Sequence, residues 1–232
     1  MVKRGTFETG DIFFLYTPRS STAQGPSDVH EVAFILSPDR GHPRRLFVLR
    51  AKSFPLPASP GAPGGQEAVA DLVEVQKAPE RLVEALEDRA EHTIGVPEGS
   101  LHVRPCGEGR YALAFHDEHT HLSYALELPD RPGPVQRDLN IFGDATYRVS
   151  VRVPAAVARP GLAIRAGESV PLTDVGLLDK KGSELVLQPG VEPDAPTAAR
   201  EPEGPATAEI FGELKLTRDW HPTEPLYDGI WK

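Results

Sequence analysis

The chain has 232 residues, 24 prolines, 21 glycines and a formal net charge of −9 at pH 7. The proline and glycine content excludes a mostly helical protein. The acidic balance, without lysine or arginine stripes, argues against nucleic acid or an anionic membrane surface as a partner. The single cysteine, Cys106, excludes an intramolecular disulfide framework. We find no signal-peptide pattern and no apolar run of membrane-spanning length, so the sequence predicts a cytoplasmic location. Its preference for arginine and alanine indicates a GC-rich, bacterial genome.

Three short runs near the start of the chain are apolar at every position: Ile12–Tyr16, Val32–Leu36 and Leu46–Leu49. Short aromatic and β-branched runs bounded by turn residues predict strands that are buried on both faces. Between the second and third runs, residues 39–41 (Asp-Arg-Gly) predict a tight turn that joins adjacent antiparallel strands.

The hydrophobic period changes after a loop at 54–65 that is rich in proline and glycine. Apolar residues then recur at helical spacing in two stretches. The first stretch contains Ala68, Val69, Leu72 and Val73, and the second contains Leu82, Val83, Leu86 and Ala90. Pro79 stands where a second helix would begin, a position that tolerates proline. The sequence thus predicts two short helices, about 66–76 and 79–91, packed on one face of the sheet.

The stretch 109–129 predicts a β-hairpin. An even loop centred on residues 117–118 places His116 opposite His119 and Ala114 opposite His121. In that register the core face carries Tyr111, Leu113, Phe115, Leu122, Tyr124, Leu126 and Leu128. The other face carries the three histidines together with Ala112, Ala114, Ser123, Ala125 and Glu127. Small side chains on a strand face predict that another backbone, a helix or a ligand lies against it.

The histidines at the hairpin tip are the candidate site for chemistry. Three imidazoles on one face, His116, His119 and His121, form a workable ligand set for zinc or a similar divalent metal. Glu118 or Asp117 would serve as fourth ligand or base, and the metal-bound hydroxide would make the site hydrolytic. The alternative interpretation is that an exposed hairpin tip simply carries polar residues and binds no metal.

A second motif lies near the N-terminus. Residues 10–14 (Gly-Asp-Ile-Phe-Phe), followed by His30 and an apolar strand, resemble papain-like cell-wall hydrolases. In that family a Gly-Asp-apolar strand precedes a strand that carries the catalytic histidine. The family's nucleophilic cysteine opens a helix, whereas Cys106 follows Arg104 and Pro105 at a strand end or turn. An activated thiolate needs a neighbouring base or a helix N-terminus, and the sequence around Cys106 supplies neither.

The C-terminal part divides by composition. Residues 188–208 are rich in proline, alanine and glutamate and predict a flexible linker. Residues 209–232 are again apolar and aromatic, and they contain both tryptophans. Such a segment is typical of a docking peptide, with Trp220, Tyr227 and Trp231 as anchors on a protein partner. The alternative is that the segment folds back onto its own domain, because exposed tryptophans are costly for a monomer.

The predicted fold is α+β and β-rich. An antiparallel sheet or open barrel with two short helices on one face spans 1–153. It is followed by an irregular extension (154–187), in which residues 162–165 and 184–187 have strand patterns, then by the linker (188–208) and the aromatic segment (209–232). The predicted function is that of a non-catalytic cytoplasmic binding protein of unknown ligand, without a cofactor. The alternative function is a divalent-metal-dependent hydrolase that uses the hairpin histidines, with zinc as its cofactor.

Overall fold

The computed structural model describes residues 5–58, 64–116, 119–152, 168–172, 174–190 and 209–232. Strands dominate the structure, and every pairing between them is antiparallel. The strands are β1 Gly5–Pro18, β2 Val29–Pro38, β3 Arg44–Leu49, β4 Ala68–Gln76, β5 Arg104–His116, β6 His119–Leu128, β7 Asp144–Arg152, β8 Ser169–Pro171 and β9 Glu184–Pro189. The helices are α1 Glu80–Ile94, α2 Pro134–Asp138, α3 Ile210–Glu213 and α4 Glu224–Tyr227.

The predicted α+β fold with an open sheet or open barrel is wrong. Eight strands form a closed barrel in the order β6-β5-β1-β2-β3-β4-β9-β7, and β7 pairs back onto β6. The short strand β8 is an addition to β7. Closure depends on β9, which lies between β4 and β7. The strand indicated at 184–187 within the extension is part of β9, which continues through residues 188–189 of the predicted linker. Residues 162–165 of the extension and 191–208 of that linker lie outside the described residues. The fold is therefore mostly β.

One of the two predicted helices is also wrong. Residues 66–76 contribute strand β4, in which Ala68, Ala70 and Leu72 face the barrel interior. The same residues satisfy a period of two as well as the helical period, and pairing with β3 and β9 selects the strand. The predicted helix 79–91 is confirmed as α1. It follows Pro79 and ends at Gly95, whose φ of 79° is left-handed.

The three predicted buried strands are confirmed as parts of β1, β2 and β3, which are neighbours in the barrel. The turn between β2 and β3 contains Gly41 with a φ of 83°. Inward side chains of these strands, such as Phe14 and Phe34, lie in the interior core. Outward side chains, such as Phe13 and Ile35, are equally buried because α1 and the C-terminal segment 209–232 cover the wall. That outer layer contains Leu82, Val83 and Leu86 from α1 and Ile210, Leu214, Leu216 and Leu226 from the segment.

The barrel interior is filled from both ends. At one end the 3-10 turn Val175–Asp179 inserts apolar side chains, and its Asp179 pairs with the fully buried Arg45. The Arg45 guanidinium also donates to Glu8 Oε1 at 2.7 Å. At the other end α2 and Trp231 pack against the core. In the described part of the chain, no helix combines the length and apolar composition needed to cross a bilayer.

Candidate functional site

The predicted register of the hairpin is confirmed. His116 is opposite His119, and Ala114 is opposite His121. The core face enters the barrel interior, where Tyr111, Leu113, Leu122 and Tyr124 are buried. Leu128 departs from the predicted face and packs in the outer layer, because the register shifts between Glu108 and Gly109.

The opposite face of the hairpin is buried in its middle part. Ala112, Ala114, His121 and Ser123 are all buried, although they point away from the barrel interior. The Ser123 hydroxyl lies 3.0 Å from the hydroxyl of Thr146 on β7. Three of the four small side chains are therefore removed from solvent, and Ala125 is half-buried. The backbone, helix or ligand predicted to lie against them stays a prediction.

The hairpin histidines are only partly brought together. The ring centroids of His116 and His121 are 6.4 Å apart, with the ring planes at 76°. His119 is half-buried across the strand pair from His116. Asp117 and Glu118 lie outside the described residues. The described residues contain two groups of three candidate metal ligands whose ligand atoms lie within 4.8 Å of one another. Neither group contains a hairpin histidine. The metal site at the hairpin therefore stays a prediction.

Cys106 lies in the barrel core and is fully buried. Burial raises the pKa of its thiol well above the usual range. Its neighbourhood therefore favours the neutral thiol and does not supply the accessible, activated thiolate of a papain-like nucleophile.

The predicted anchors of the C-terminal segment have different environments. Trp231 folds back, with its ring 5.1 Å from that of Tyr16 and its Nε1 donating to Asp138 at 3.1 Å. In contrast, 61% of the Trp220 surface and 39% of the Tyr227 surface remain exposed. The segment is thus docked on its own barrel and still presents an indole to solvent.

Buried polar groups fix the segment in place. The carboxylate of Glu108 on β5 accepts hydrogen bonds from the backbone N–H groups of Glu209 and Ile210, both at 2.9 Å. Burial raises the pKa of Glu108 to about 7. The Gln136 side chain on α2 donates to the carbonyl oxygen of Pro225 at 2.7 Å. Sequence reasoning missed both residues, because a buried Glu or Gln has the same local pattern as an exposed one.

One of the two groups of candidate metal ligands brings together residues from three separate parts of the chain. Glu87 comes from α1, His102 from the loop before β5 and His221 from the C-terminal segment. Glu87 Oε1 lies 3.5 Å from His102 Nδ1 and 3.4 Å from His221 Nε2. The His102 ring is also 5.0 Å from the ring of Trp220. The spacing of these residues in the sequence gives no motif, so sequence reasoning did not find the group.

The second ligand group is purely acidic and borders a groove at the start of β1. It consists of Asp11, Glu209 and Glu213. The groove has a volume of about 700 Å³ and is lined by Thr6, Phe7, Glu8, Thr9, Asp39, Arg40 and Arg110. Arg110 pairs with both Asp11 and Asp39, while burial raises the pKa of Asp11 to about 6. Because Arg110 already forms ion pairs with two carboxylates, its positive charge is not available to bind an anionic ligand.

Comparison of the chain with known protein families, characterised proteins and solved structures found no match. A function must therefore be argued from the residues and their geometry.

Proposed function

We propose that this chain is a non-catalytic cytoplasmic binding protein, and that a protein partner docks on the C-terminal segment at Trp220. The observation that carries the proposal is the 61% exposure of this indole within a segment whose residues Ile210, Leu214, Leu216 and Leu226 are packed against the barrel. Tryptophan is among the residues most enriched at the energetic centre of protein interfaces.

The surroundings of Trp220 hold the anchor in position. Leu216 precedes it and is buried in the outer layer, and Leu226 follows it and is buried in the same layer. Its indole lies against the His102 ring, and its carbonyl oxygen accepts a hydrogen bond from Arg104 at 3.4 Å. A side chain that is already ordered in the free protein loses little conformational entropy on binding. This arrangement supports a role as a pre-organised anchor.

Other groups in the segment define the chemistry of the partner. Tyr227 and Ile230 are also exposed, at 39% and 52%, and add apolar surface beyond the single indole. The net charge of −9 favours association with a basic surface through electrostatic steering. The partner we propose is therefore a protein with an apolar pocket for an indole and a basic rim.

The cytoplasmic location is part of this proposal. Cys106 is the single cysteine of the chain, and its thiol is free and buried. A chain without disulfides suits a reducing compartment.

A divalent-metal-dependent hydrolase at the hairpin is the second candidate function. It is favoured by the position of His116 and His121 on one strand face, with ring centroids 6.4 Å apart. The burial of His121 weighs against it, because a hydrolytic metal needs a position open to water and substrate. Metal-dependent hydrolysis that disappears in a His121→Ala variant would support this candidate over the binding protein.

The proposed binding is tested with immobilised full-length chain and an extract of the native host. Wild type, Trp220→Ala and Leu56→Ala are compared; Leu56 is 49% exposed but lies outside the segment, which makes it a matched control. We expect one protein to bind wild type and the Leu56 variant. This partner protein is then purified. The Trp220 variant should bind the purified partner about 30-fold more weakly than wild type does, the equivalent of about 2 kcal/mol for an interface hot spot. Equal affinity of the two variants, with unchanged melting temperatures, would refute the proposal.

A further inference from the structure

The geometry points to a divalent transition-metal site, of the kind that takes zinc, formed by Glu87, His102 and His221. Each residue offers one ligand atom that lies within 4.8 Å of those of the other two. The atoms nearest to the carboxylate oxygen Oε1 of Glu87 are His102 Nδ1 and His221 Nε2. The three residues come from helix α1, the loop before β5 and the C-terminal segment. A metal bound here joins the segment to the barrel wall. The metal site does not rest on the partner binding proposed above, although the His102 ring contacts Trp220.

The distances match those of a shared ion. Zinc binds imidazole nitrogen and carboxylate oxygen at about 2.0–2.2 Å, so two ligands of a tetrahedral site lie about 3.4 Å apart. Glu87 Oε1 is 3.5 Å from His102 Nδ1 and 3.4 Å from His221 Nε2. Hydrogen bonds between nitrogen and oxygen are shorter, most often about 2.9–3.0 Å. The three side chains are therefore placed for a common metal better than for hydrogen bonds with one another.

His221 provides an independent indication of a ligand. Only 8% of this residue is exposed, and its Nε2 is buried. The contact of Nε2 with Glu87 Oε1 does not have hydrogen-bond geometry, and within the described ranges Nε2 makes no other hydrogen bond. A buried polar atom without a hydrogen bond is unfavourable, and ligation of a metal by its lone pair would offset this cost.

The other ring nitrogen of His221 contacts the backbone of Thr217. Nδ1 lies 2.8 Å from the carbonyl oxygen of Thr217, and the backbone N–H of Thr217 donates to Nδ1 at 3.1 Å. Metal binding through Nε2 requires the tautomer with its proton on Nδ1, in which Nδ1 donates to the Thr217 carbonyl oxygen and no longer accepts from the Thr217 N–H. This tautomer leaves the lone pair of Nε2 free and directed towards Glu87. Metal-ligating histidines commonly donate their second N–H to a backbone carbonyl, which fixes ring orientation and tautomer.

The outer surroundings of the ligands are consistent with a metal. Glu87 Oε1 accepts a hydrogen bond from the backbone N–H of Val103 at 2.9 Å, which orients the carboxylate. The side chains of Glu87 and His102 retain partial exposure, so a fourth position can be taken by water. Two imidazoles and one carboxylate suit zinc and its neighbours among the transition metals rather than magnesium or calcium, which prefer oxygen ligands.

Zinc binding tests the proposal on the full chain purified without an affinity tag. The protein is incubated with zinc sulfate, dialysed and analysed for metal by mass spectrometry. We expect about one zinc per chain in wild type, and at least about tenfold weaker zinc binding in His221→Ala and in the near-isosteric Glu87→Gln. The control is His92→Ala, an exposed histidine of the same helix, which should bind as wild type does.

Two further measurements test the metal site when a variant fails to fold or when zinc binds elsewhere on the chain. Zinc should raise the melting temperature of wild type and His92→Ala but not that of Glu87→Gln, which addresses the case in which His221→Ala fails to fold. Trp220→Ala should retain zinc, so that failure of partner binding and failure of the metal site are distinguishable. The proposal is overturned if wild type binds no zinc. It is also overturned if zinc is lost in His119→Ala and retained in the His221 and Glu87 variants, because the metal would then lie at the hairpin.

Discussion

The integration of the C-terminal segment into the barrel can be tested with two residues of the same segment. Leu226 is fully buried on α4 and packs in the outer layer, whereas Ile230 is 52% exposed. Removing a buried leucine side chain costs its transfer free energy plus a cavity term, typically about 2–5 kcal/mol. Leu226→Ala should therefore lower the free energy of unfolding by about this amount. Ile230→Ala should change it by no more than about 0.5 kcal/mol.

Urea unfolding measures the effect with two probes. Both tryptophans of the chain lie in the segment, so tryptophan emission reports the segment, while far-ultraviolet circular dichroism reports the strands. A loss of about 3 kcal/mol should move the urea midpoint by roughly 1–3 M. We expect the same midpoint from both probes in wild type and in both variants, because the segment and the barrel wall share one core.

A different result would refute this reasoning. If Leu226→Ala shifted the fluorescence transition and left the circular dichroism transition unchanged, the segment would unfold by itself. It would then be an appendage rather than part of the barrel wall, and the pre-organisation of Trp220 would have no structural basis.

Three further predictions concern the interior and the segment anchor. Arg45→Met should cost about 3–5 kcal/mol in urea unfolding, because Glu8 is left buried without its cation, and adding Glu8→Gln should recover part of that loss. Burial raises the pKa of Glu108 from 4.5 to about 7, so the stability that this carboxyl contributes is present below pH 4.5 and lost as the pH rises to 7. The stability of Glu108→Gln relative to wild type should therefore rise by up to about 3 kcal/mol over this range, measured by denaturation at several pH values. Gly10→Ala should destabilise by about 1–3 kcal/mol, because its Cβ would lie 2.1 Å from the Ser37 carbonyl oxygen, whereas Gly143→Ala meets no atom within 4 Å and should be neutral.

Each of these predictions has a contradicting result. A cost below about 1 kcal/mol for Arg45→Met would show that water reaches Glu8 and screens it. A stability difference between Glu108→Gln and wild type that does not change with pH would show that Glu108 titrates normally when folded. Equal stability of the two glycine variants would mean that β1 and β2 can move apart at Gly10.

The sequence pattern was sufficient to predict the strands whose apolar residues are clearly separated from flanking turn residues. The runs 12–16, 32–36 and 46–49 combine apolar composition with turn residues at both ends, and all three are strands. The register of the hairpin followed from the even loop, because a shift by one residue would expose Leu113 and Tyr124 and bury charged groups. The burial of Ala112 and Ala114 was also predictable, since small residues on a strand face indicate close packing.

Closure of the barrel could not be predicted in this way. It depends on pairings between distant residues, such as Asp71 with Glu184 and Gly5 with Phe115, which leave no local signature. Residues 68–76 fit both a helical and a strand period, and only the neighbouring strands decide between them. The same reason explains why the candidate metal site was missed. Glu87, His102 and His221 are unremarkable in sequence and meet only because the segment packs beside α1.

Site-specific photocrosslinking at position 220 tests the proposed partner binding most directly. Trp220 is replaced by benzoylphenylalanine, which retains an aromatic side chain at the exposed position, and the full chain is illuminated in the native host. The control carries the same group at the exposed Leu56. We predict a covalent adduct with one partner protein from position 220 that is not formed from position 56. Identical adducts from both positions, or no adduct from position 220, would contradict the proposal that Trp220 anchors a protein partner.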